Sequence, residues 1–355
     1  MSKIQFENYN YYPTLRTRGA EILGLEKLSD VNKKKILPII TLGKWPRSDD
    51  IKTSMNKTIE SVNGNQFIVD VTQEVKHHCE SSLELLSHQQ NFKKWIDFCS
   101  QYEKIIPTVQ ITELAKLRDI VMQAKILESQ YGYIAFRIKN IHTDVNRVIS
   151  SLVALDKPQN AIIFIDLGYI RESFPAAVIA TINAINQIRT EIPEAIISIL
   201  TTSFPSSVIR FCHENKQSGF IDVMERDFHQ SIGGQSVAIY GDHGSIHSVV
   251  YDDVMGRYIP RIDIALDDAW YFERRPDAKD ANGYIDAAKS ILKEYPSYES
   301  DPSWGAEMIR NAASGNVTGM GSPAKWIAVR VNLHLSKQIE RCEMDNYDAY
   351  DLDII

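Results

Sequence analysis

At 355 residues, with 44% hydrophobic and 24% charged residues, the chain is long enough for one large α/β domain or two smaller ones and too apolar to be disordered. A formal charge of −7 argues against non-specific binding to nucleic acid or to an anionic membrane, both of which need a positive surface. Four cysteines without ligand spacing predict free thiols in a reducing compartment, and no stretch reaches the ~18 apolar residues of a spanning helix, so the sequence predicts a cytoplasmic protein without a membrane segment.

The first candidate strand is YYPTLRT (11–17), followed after Gly19 by a helical stretch over 20–35. KILPIITL (35–42) is the second strand, with Pro38 confined to a place where a ladder donor is not needed. Ser48 or Asp49 caps a helix running to Val62, and NGN at 63–65 stops it. QFIVDVT (66–72) leads into one helical region over 79–101, with Leu83, Leu86, Trp95, Phe98 and Tyr102 as core contacts and His77-His78 at a solvated start. KIIPTVQI (104–111) precedes a helix capped by Thr112, and 131–139 precedes one starting at Thr143 or Asp144.

AIIFIDLG (161–168) is the clearest strand: a short isoleucine-rich run without alternation, suited to burial on both faces of a parallel sheet, ending in Asp166 and a glycine. A helix over 174–190, the strand AIISILTT (195–202) and a helix from 206 or 207 to 215 follow, then GFIDV (219–223) and QSVAIYGD (235–242). Strands recur about every 30 residues with helices between them, the spacing of repeated βαβ units. This predicts a (β/α)8 TIM-like barrel over 1–245, with a doubly wound open parallel sheet as the alternative. Nine candidates compete for eight places, and either YYPTLRT or GFIDV lies outside the barrel. Residues 246–343 read as a hairpin and helical appendage: IHSVVYD (246–252), PRIDIALDDAWYFERR (260–275) and helices near 283–294, 304–313 and 325–340. Residues 344–355, with four aspartates, read as an acidic tail that is mobile or binds a partner.

Ligands of α/β barrels and open sheets bind beyond the C-terminal strand ends. That rule collects Arg18, Glu21, Asp70, Thr72, Gln110, Arg137, Lys139, Asp166, Thr201 to Ser203, Asp242 and His243. Converging acids and bases can hold a phosphorylated or nucleotide substrate or move protons. The same residues can also form a layer of buried ion pairs, Arg137 with Asp166 or Asp70. His243 and His247 have i, i+4 spacing, but the flanking Gly241 and Gly244 predict a turn and no metal site. GNVTGMGS (315–322) fits no phosphate loop, there is no GxSxG elbow, and no catalytic residue or cofactor is identified. The aromatics Trp270, Tyr271, Phe272, Trp304 and Trp326 are expected to be core of the appendage, although an interaction surface would use the same residue types.

YYPTLRTRGAEILGL with ILPII, Glu225 ahead of YGDHG (240–244), RIDIALDDAWYFERR, and SWGAEMI with KWIAVRVNLHL together resemble the phage and prophage Beta proteins across most of the chain. The chain departs from the family pattern at His243, where an aromatic is usual, and at Arg18-Gly19-Ala20-Glu21, where a basic residue precedes Gly-Glu. The resemblance implies a regulator or sensor in phage defence, antitoxin-like, binding a toxin or defence effector encoded nearby. It leaves oligomerisation open and supplies no catalytic residues. Within it, Arg18, Glu21, Asp242, Trp304, Arg330, Asn332 and His334 are candidates for one shared cleft, with Ser203 and Glu225 beside them.

Overall fold

The computed structural model describes residues 4–214, 216–250, 258–278 and 280–352, with side chains to 345. The strands are β1 (Tyr11–Arg16), β2 (Ile39–Leu42), β3 (Phe67–Val71), β4 (Ile105–Val109), β5 (Ile134–Ile138), β6 (Ala161–Tyr169), β7 (Ile196–Thr202), β8 (Ser218–Asp222), β9 (Ile239–Asp242), β10 (Arg261–Ala265) and β11 (Ala269–Arg274). Eight of them close a parallel barrel in the order β1-β2-β3-β4-β5-β6-β7-β9, sealed where Tyr11 pairs with Tyr240. The first strand is therefore a barrel strand. GFIDV is the excluded candidate: β8 pairs antiparallel with β11, which pairs with β10, in a separate three-stranded sheet.

Strand alternation divides the barrel into two apolar layers. Inward positions Tyr12, Ile39, Ile68, Ile106, Ala135, Ile162, Phe164, Leu200 and Ile239 form one plug, closed below by Phe6 and Leu37. Outward positions pack against the surrounding helices. Gly241 is demanded by this closure, since a Cβ there would lie 2.7 Å from the Tyr12 carbonyl oxygen and 2.9 Å from that of Ile199. Pro38 ends up just before β2, where its missing N–H costs nothing and its carbonyl accepts from the Ile68 amide at 2.9 Å.

Several helices start or break where capping chemistry dictates. The stretch 20–35 is two helices, Gly19–Glu26 and Asp30–Lys35, because Ser29 caps the second through the Asn32 amide. The stretch 79–101 likewise divides into Glu80–Leu85 and Gln89–Cys99, which leaves Leu83 exposed while Trp95 and Phe98 are buried. Thr112 caps nothing, and the next helix begins at Leu117. Asn140 rather than Thr143 or Asp144 opens Ile141–Val153 by accepting from the His142 amide. Among the described residues of 206–214 a single 3-10 turn forms, Ile209–Phe211, with the Arg171 and Arg210 guanidiniums over the Phe211 ring. Residues 246–250 are irregular rather than extended, and the rest of IHSVVYD lies outside the described residues.

The last helix, Pro323–Leu352, runs through most of the acidic stretch and is buried on several faces. Trp326, Val329 and Leu333 enter the core formed with β10, β11 and helices Asn282–Glu294 and Trp304–Ala313. Val331, Leu335, Ile339 and Cys342 enter the barrel's outer core. Trp270, Phe272 and Trp326 are buried in the first of these cores. Glycines let the helix approach its neighbours: a Cβ on Gly24 would lie 2.7 Å from Val331 Cβ, and one on Gly305 would lie 2.6 Å from Leu333 Cγ. Asn332 ties both glycines down, donating to the Gly24 carbonyl at 3.2 Å and accepting from the Gly305 amide at 2.9 Å. A Gly24→Leu variant is expected to lose ~1–3 kcal/mol by overpacking this crossing. Urea unfolding checks it, with Ala20→Leu, on the same helix but only partly buried, as the comparison.

Candidate functional site

At the C-terminal end of the barrel the inward positions change from apolar to polar: Thr41 above Ile39, Asp70 above Ile68, Gln110 above Ile106, Arg137 above Ala135 and Asp166 above Phe164. Arg137 is the centre of this layer. Its Nε and Nη2 donate to Asp166 Oδ2 at 3.0 and 2.7 Å, and its Nη1 donates to Thr41 Oγ1 at 2.8 Å and Asp70 Oδ2 at 3.1 Å. Asp166 Oδ1 accepts from His243 Nε2 at 2.9 Å and from the Gly168 amide at 3.0 Å. The second contact requires the bulge between Asp166 and Gly168, with Gly168 at φ +61°. Gln110 Nε2 donates to Asp70 Oδ1 at 3.1 Å, and the Gln123 side chain clamps the Gln110 backbone.

Burial alone would raise the Asp166 carboxyl, but His243 and Arg137 outweigh it and hold Asp166 well below the usual carboxylate range. Burial works against the Arg137 charge too, and Asp166 and Asp70 keep the guanidinium above its ordinary value. The layer is a network of mutually satisfied charges forming the floor of an open cavity of about 280 Å³. Its walls are made by Thr14, Arg16, Glu21, Glu74, Lys139 and His243, with Ile246 and Val249 from the loop after β9.

Arg16 is also spent. It pairs with Glu21 at 3.2 Å and donates to the His247 and Ser248 carbonyls at 3.1 and 3.3 Å, so it pins the loop after β9 to the rim. Four wall groups keep free capacity among the described residues. Lys139 has only a loose 3.8 Å approach to Asp70, while Glu74's carboxylate, the Thr14 hydroxyl and His243 Nδ1 make no hydrogen bond. Burial is the main influence lowering Lys139's pKa.

Of the remaining predicted residues, Thr72 also lines this cavity and the others do not reach it. Asp242 lies between inward Gly241 and His243 and therefore faces outward, where its carboxylate takes four donors. These are Tyr11 Oη at 2.7 Å, Tyr240 Oη at 3.0 Å, His334 Nε2 at 2.9 Å and the Gly244 amide at 2.8 Å. Trp270 Nε1 donates to His334 Nδ1 at 3.3 Å, which completes a buried Trp–His–Asp chain. Arg330 pairs with Asp263 at 2.9 Å and lies 3.9 Å from the centre of the Phe204 ring; burial lowers its pKa to about 10. Gln338 accepts from Arg226 Nε at 2.9 Å. Arg330, His334 and Gln338 recur every four residues, so one polar stripe of the last helix meets β10, β9 and helix Glu225–Ser231 in turn. Glu225 belongs to this seam, binding the Ser203 amide at 2.6 Å and hydroxyl at 2.7 Å, and burial raises its carboxyl.

The expected single cleft is thus three places. Asp70, Gln110, Arg137, Asp166, His243 and Glu21 gather at the mouth; Ser203, Glu225, Asp242, His334 and Arg330 line the seam; Trp304 and Asn332 border an outer groove. Arg18 stands at the N-cap position of Gly19–Glu26 without a side-chain capping bond, half-buried and outside the mouth lining. Arg16, Glu74 and Thr14 line the mouth although the sequence reading did not collect them, whereas Lys139 was collected. The available signal was alternation: Tyr12, Thr14 and Arg16 must share one face of β1.

His77, expected to be solvated, is only 3% exposed. Its ring lies over Gly43, where a Cβ would sit 2.4 Å from Nδ1. Burial, reinforced by Arg16 and Arg18, lowers its pKa to about 4. Between pH ~6.5, the unfolded value, and about 4 the unfolded chain takes up a proton that the folded chain refuses, so stability falls with pH across this window. The loss is ~2–3 kcal/mol. His77→Leu is expected to flatten this limb in urea titrations from pH 7 to 4, leaving a smaller dependence from His229 and His247, both also lowered by burial.

No group of three or more His, Cys, Asp or Glu among the described residues is arranged to hold a metal ion, and no helix among them is long and apolar enough to cross a membrane. A family model described as Beta protein matches residues 11–340. Protein beta of Enterobacteria phage P4 is 64% identical over 345 residues, which cover 97% of this chain and 97% of that protein.

Proposed function

This chain belongs to the Beta protein family, a phage-associated group, and on that premise we propose that it is an enzyme acting on a small phosphorylated or nucleotide-like substrate at the barrel mouth. The observation that carries this reading is the unequal use of charge around the cavity. Arg16, Arg137, Glu21 and Asp166 are saturated by protein partners, whereas Lys139, Glu74, Thr14 and His243 Nδ1 keep capacity for a guest. A rigid, satisfied floor beneath unsatisfied walls is the arrangement that holds a ligand in one orientation. A metabolite-sized guest suits about 280 Å³, at the small end of ligand pockets.

Thermal unfolding in the presence of sugar phosphates and mononucleotides tests it. At least one compound is expected to raise Tm, and Lys139→Met should abolish that rise while leaving the ligand-free Tm within about 2 °C, because Lys139 has no close partner to lose. If no compound shifts the wild type, the mouth is a structural ion-pair layer.

A second reading, a regulator that restrains a toxic or defence partner encoded nearby, is supported by apolar side chains around β8. Phe220 is 40% exposed on that edge strand, and Ile209 beside it is 65% exposed. Capture of a neighbouring gene product that is lost in Phe220→Glu favours this reading; a monomer that captures none of them rejects it.

A further inference from the structure

The mouth also holds a group whose two ring nitrogens have been given different tasks. His243 Nε2 is committed to Asp166 Oδ1 at 2.9 Å, and Asp166, whose other oxygen is held by Arg137, stays ionised. An ionised carboxylate accepts, so Nε2 carries a hydrogen and Nδ1 is the ring nitrogen left for a guest. Nδ1 has no partner among the described residues, and the ring lines the cavity that Lys139 also lines.

We propose that His243 is the acid/base group of the mouth, taking a proton on Nδ1 when an oxyanion of the phosphate or sulfate type occupies the cavity beside Lys139. This rests on the mouth being a ligand site. Asp166 acts through His243 and is a positioning residue.

The lone pair on Nδ1 repels an ionised oxygen. Protonation turns that repulsion into a charge-assisted hydrogen bond, and the imidazolium formed is stabilised by Asp166 behind it. The proton comes from solvent: one N–H bond forms at Nδ1, no bond in the anion breaks, and the site gains one positive charge. When the bound ligand has a hydroxyl in place of the anionic oxygen, the same lone pair accepts its proton, the O–H electron pair remains on oxygen, and His243 serves as general base. The charged groups around His243 and its cavity are Asp166 from β6, Arg137 and Lys139 from β5, Arg16 from β1, Glu21 from the helix after β1, Glu74 after β3 and His247 on its own loop. Arg137 and Arg16 are neutralised by Asp70, Asp166 and Glu21, so the change in net charge falls on His243.

The test is calorimetric titration of the full-length protein with sodium sulfate near pH 7.5, in two buffers of different ionisation enthalpy. Sulfate has no proton to give, so any buffer-dependent heat reports uptake by the protein. The wild type is expected to bind sulfate with uptake approaching one proton per ion. His243→Gln should bind on the order of tenfold more weakly with no uptake, which corresponds to about 1.4 kcal/mol. Asp166→Asn should bind with reduced uptake, and Lys139→Met should not bind. Histidine ¹⁵N spectra of the wild type, showing the Nε2–H tautomer without sulfate and the doubly protonated ring with it, keep the test decisive if a variant fails to fold. Binding without uptake, uptake that persists in His243→Gln, or an Nδ1–H tautomer overturns the role of His243 and leaves the mouth as a ligand site. Absence of sulfate binding to the wild type overturns the oxyanion site itself.

Discussion

Arg137→Met is expected to lower folding stability by ~3–5 kcal/mol, the cost of leaving a buried ion-pair partner uncompensated. Two carboxylates lose their common cation at once: Asp166 loses two hydrogen bonds and Asp70 loses one, in a layer where both acids are more than 90% buried. Against the ~5–15 kcal/mol that holds a typical domain together, this is a large fraction. Urea unfolding at neutral pH measures it. Adding Asp166→Asn to Arg137→Met should recover part of the loss, because the second change removes one stranded charge. Additive losses would mean that the two side chains do not interact, contrary to the geometry.

Asp242→Ala is expected to cost a similar ~3–5 kcal/mol for a different reason. Four donors from three parts of the chain converge on that carboxylate, and the alanine variant strands the hydroxyls of Tyr11 and Tyr240, the His334 ring and the Gly244 amide in a buried seam. The effect is also pH-dependent. Burial would raise the Asp242 carboxyl, but His334 and the Tyr11 and Gly244 hydrogen bonds outweigh it and hold its folded pKa below the unfolded value. Its contribution is therefore complete above pH ~4 and is lost as pH falls through the folded value. The gap between wild type and variant should narrow in acid below that point, in urea titrations at pH 6, 4 and 3.

Much of the barrel is legible in the sequence because buried parallel strands have a simple composition. AIIFIDLG and AIISILTT are apolar on both faces and lie next to each other as β6 and β7. GFIDV has the same composition and pairs elsewhere, since nothing local distinguishes a strand that closes a barrel from one that completes a small antiparallel sheet. The mouth residues Asp70, Arg137 and Asp166 are legible as polar ends of apolar runs. The adjacent pair Asp242 and His243 shows the limit: the sequence assigns both to one site, while strand alternation sends one to the cavity and the other to the seam. His334 and Arg330 are invisible as seam residues, because their partners Asp242 and Asp263 lie 92 and 67 residues away. The polar stripe itself, at 330, 334 and 338, has a four-residue period that local reading could have flagged.

The seam also sets a timetable for the molecule's birth. A nascent chain emerges N-terminus first, yet β1 must wait for β9 before the ring can shut, and Gly19–Glu26 must wait for the last helix before its glycine is covered. Until Arg330, His334 and Gln338 leave the ribosome, Asp263, Asp242 and Arg226 lack the partners this helix supplies. Translation that stops short of residue 323 therefore releases an unlatched ring with charges facing what should be an interior, a natural substrate for proteolysis.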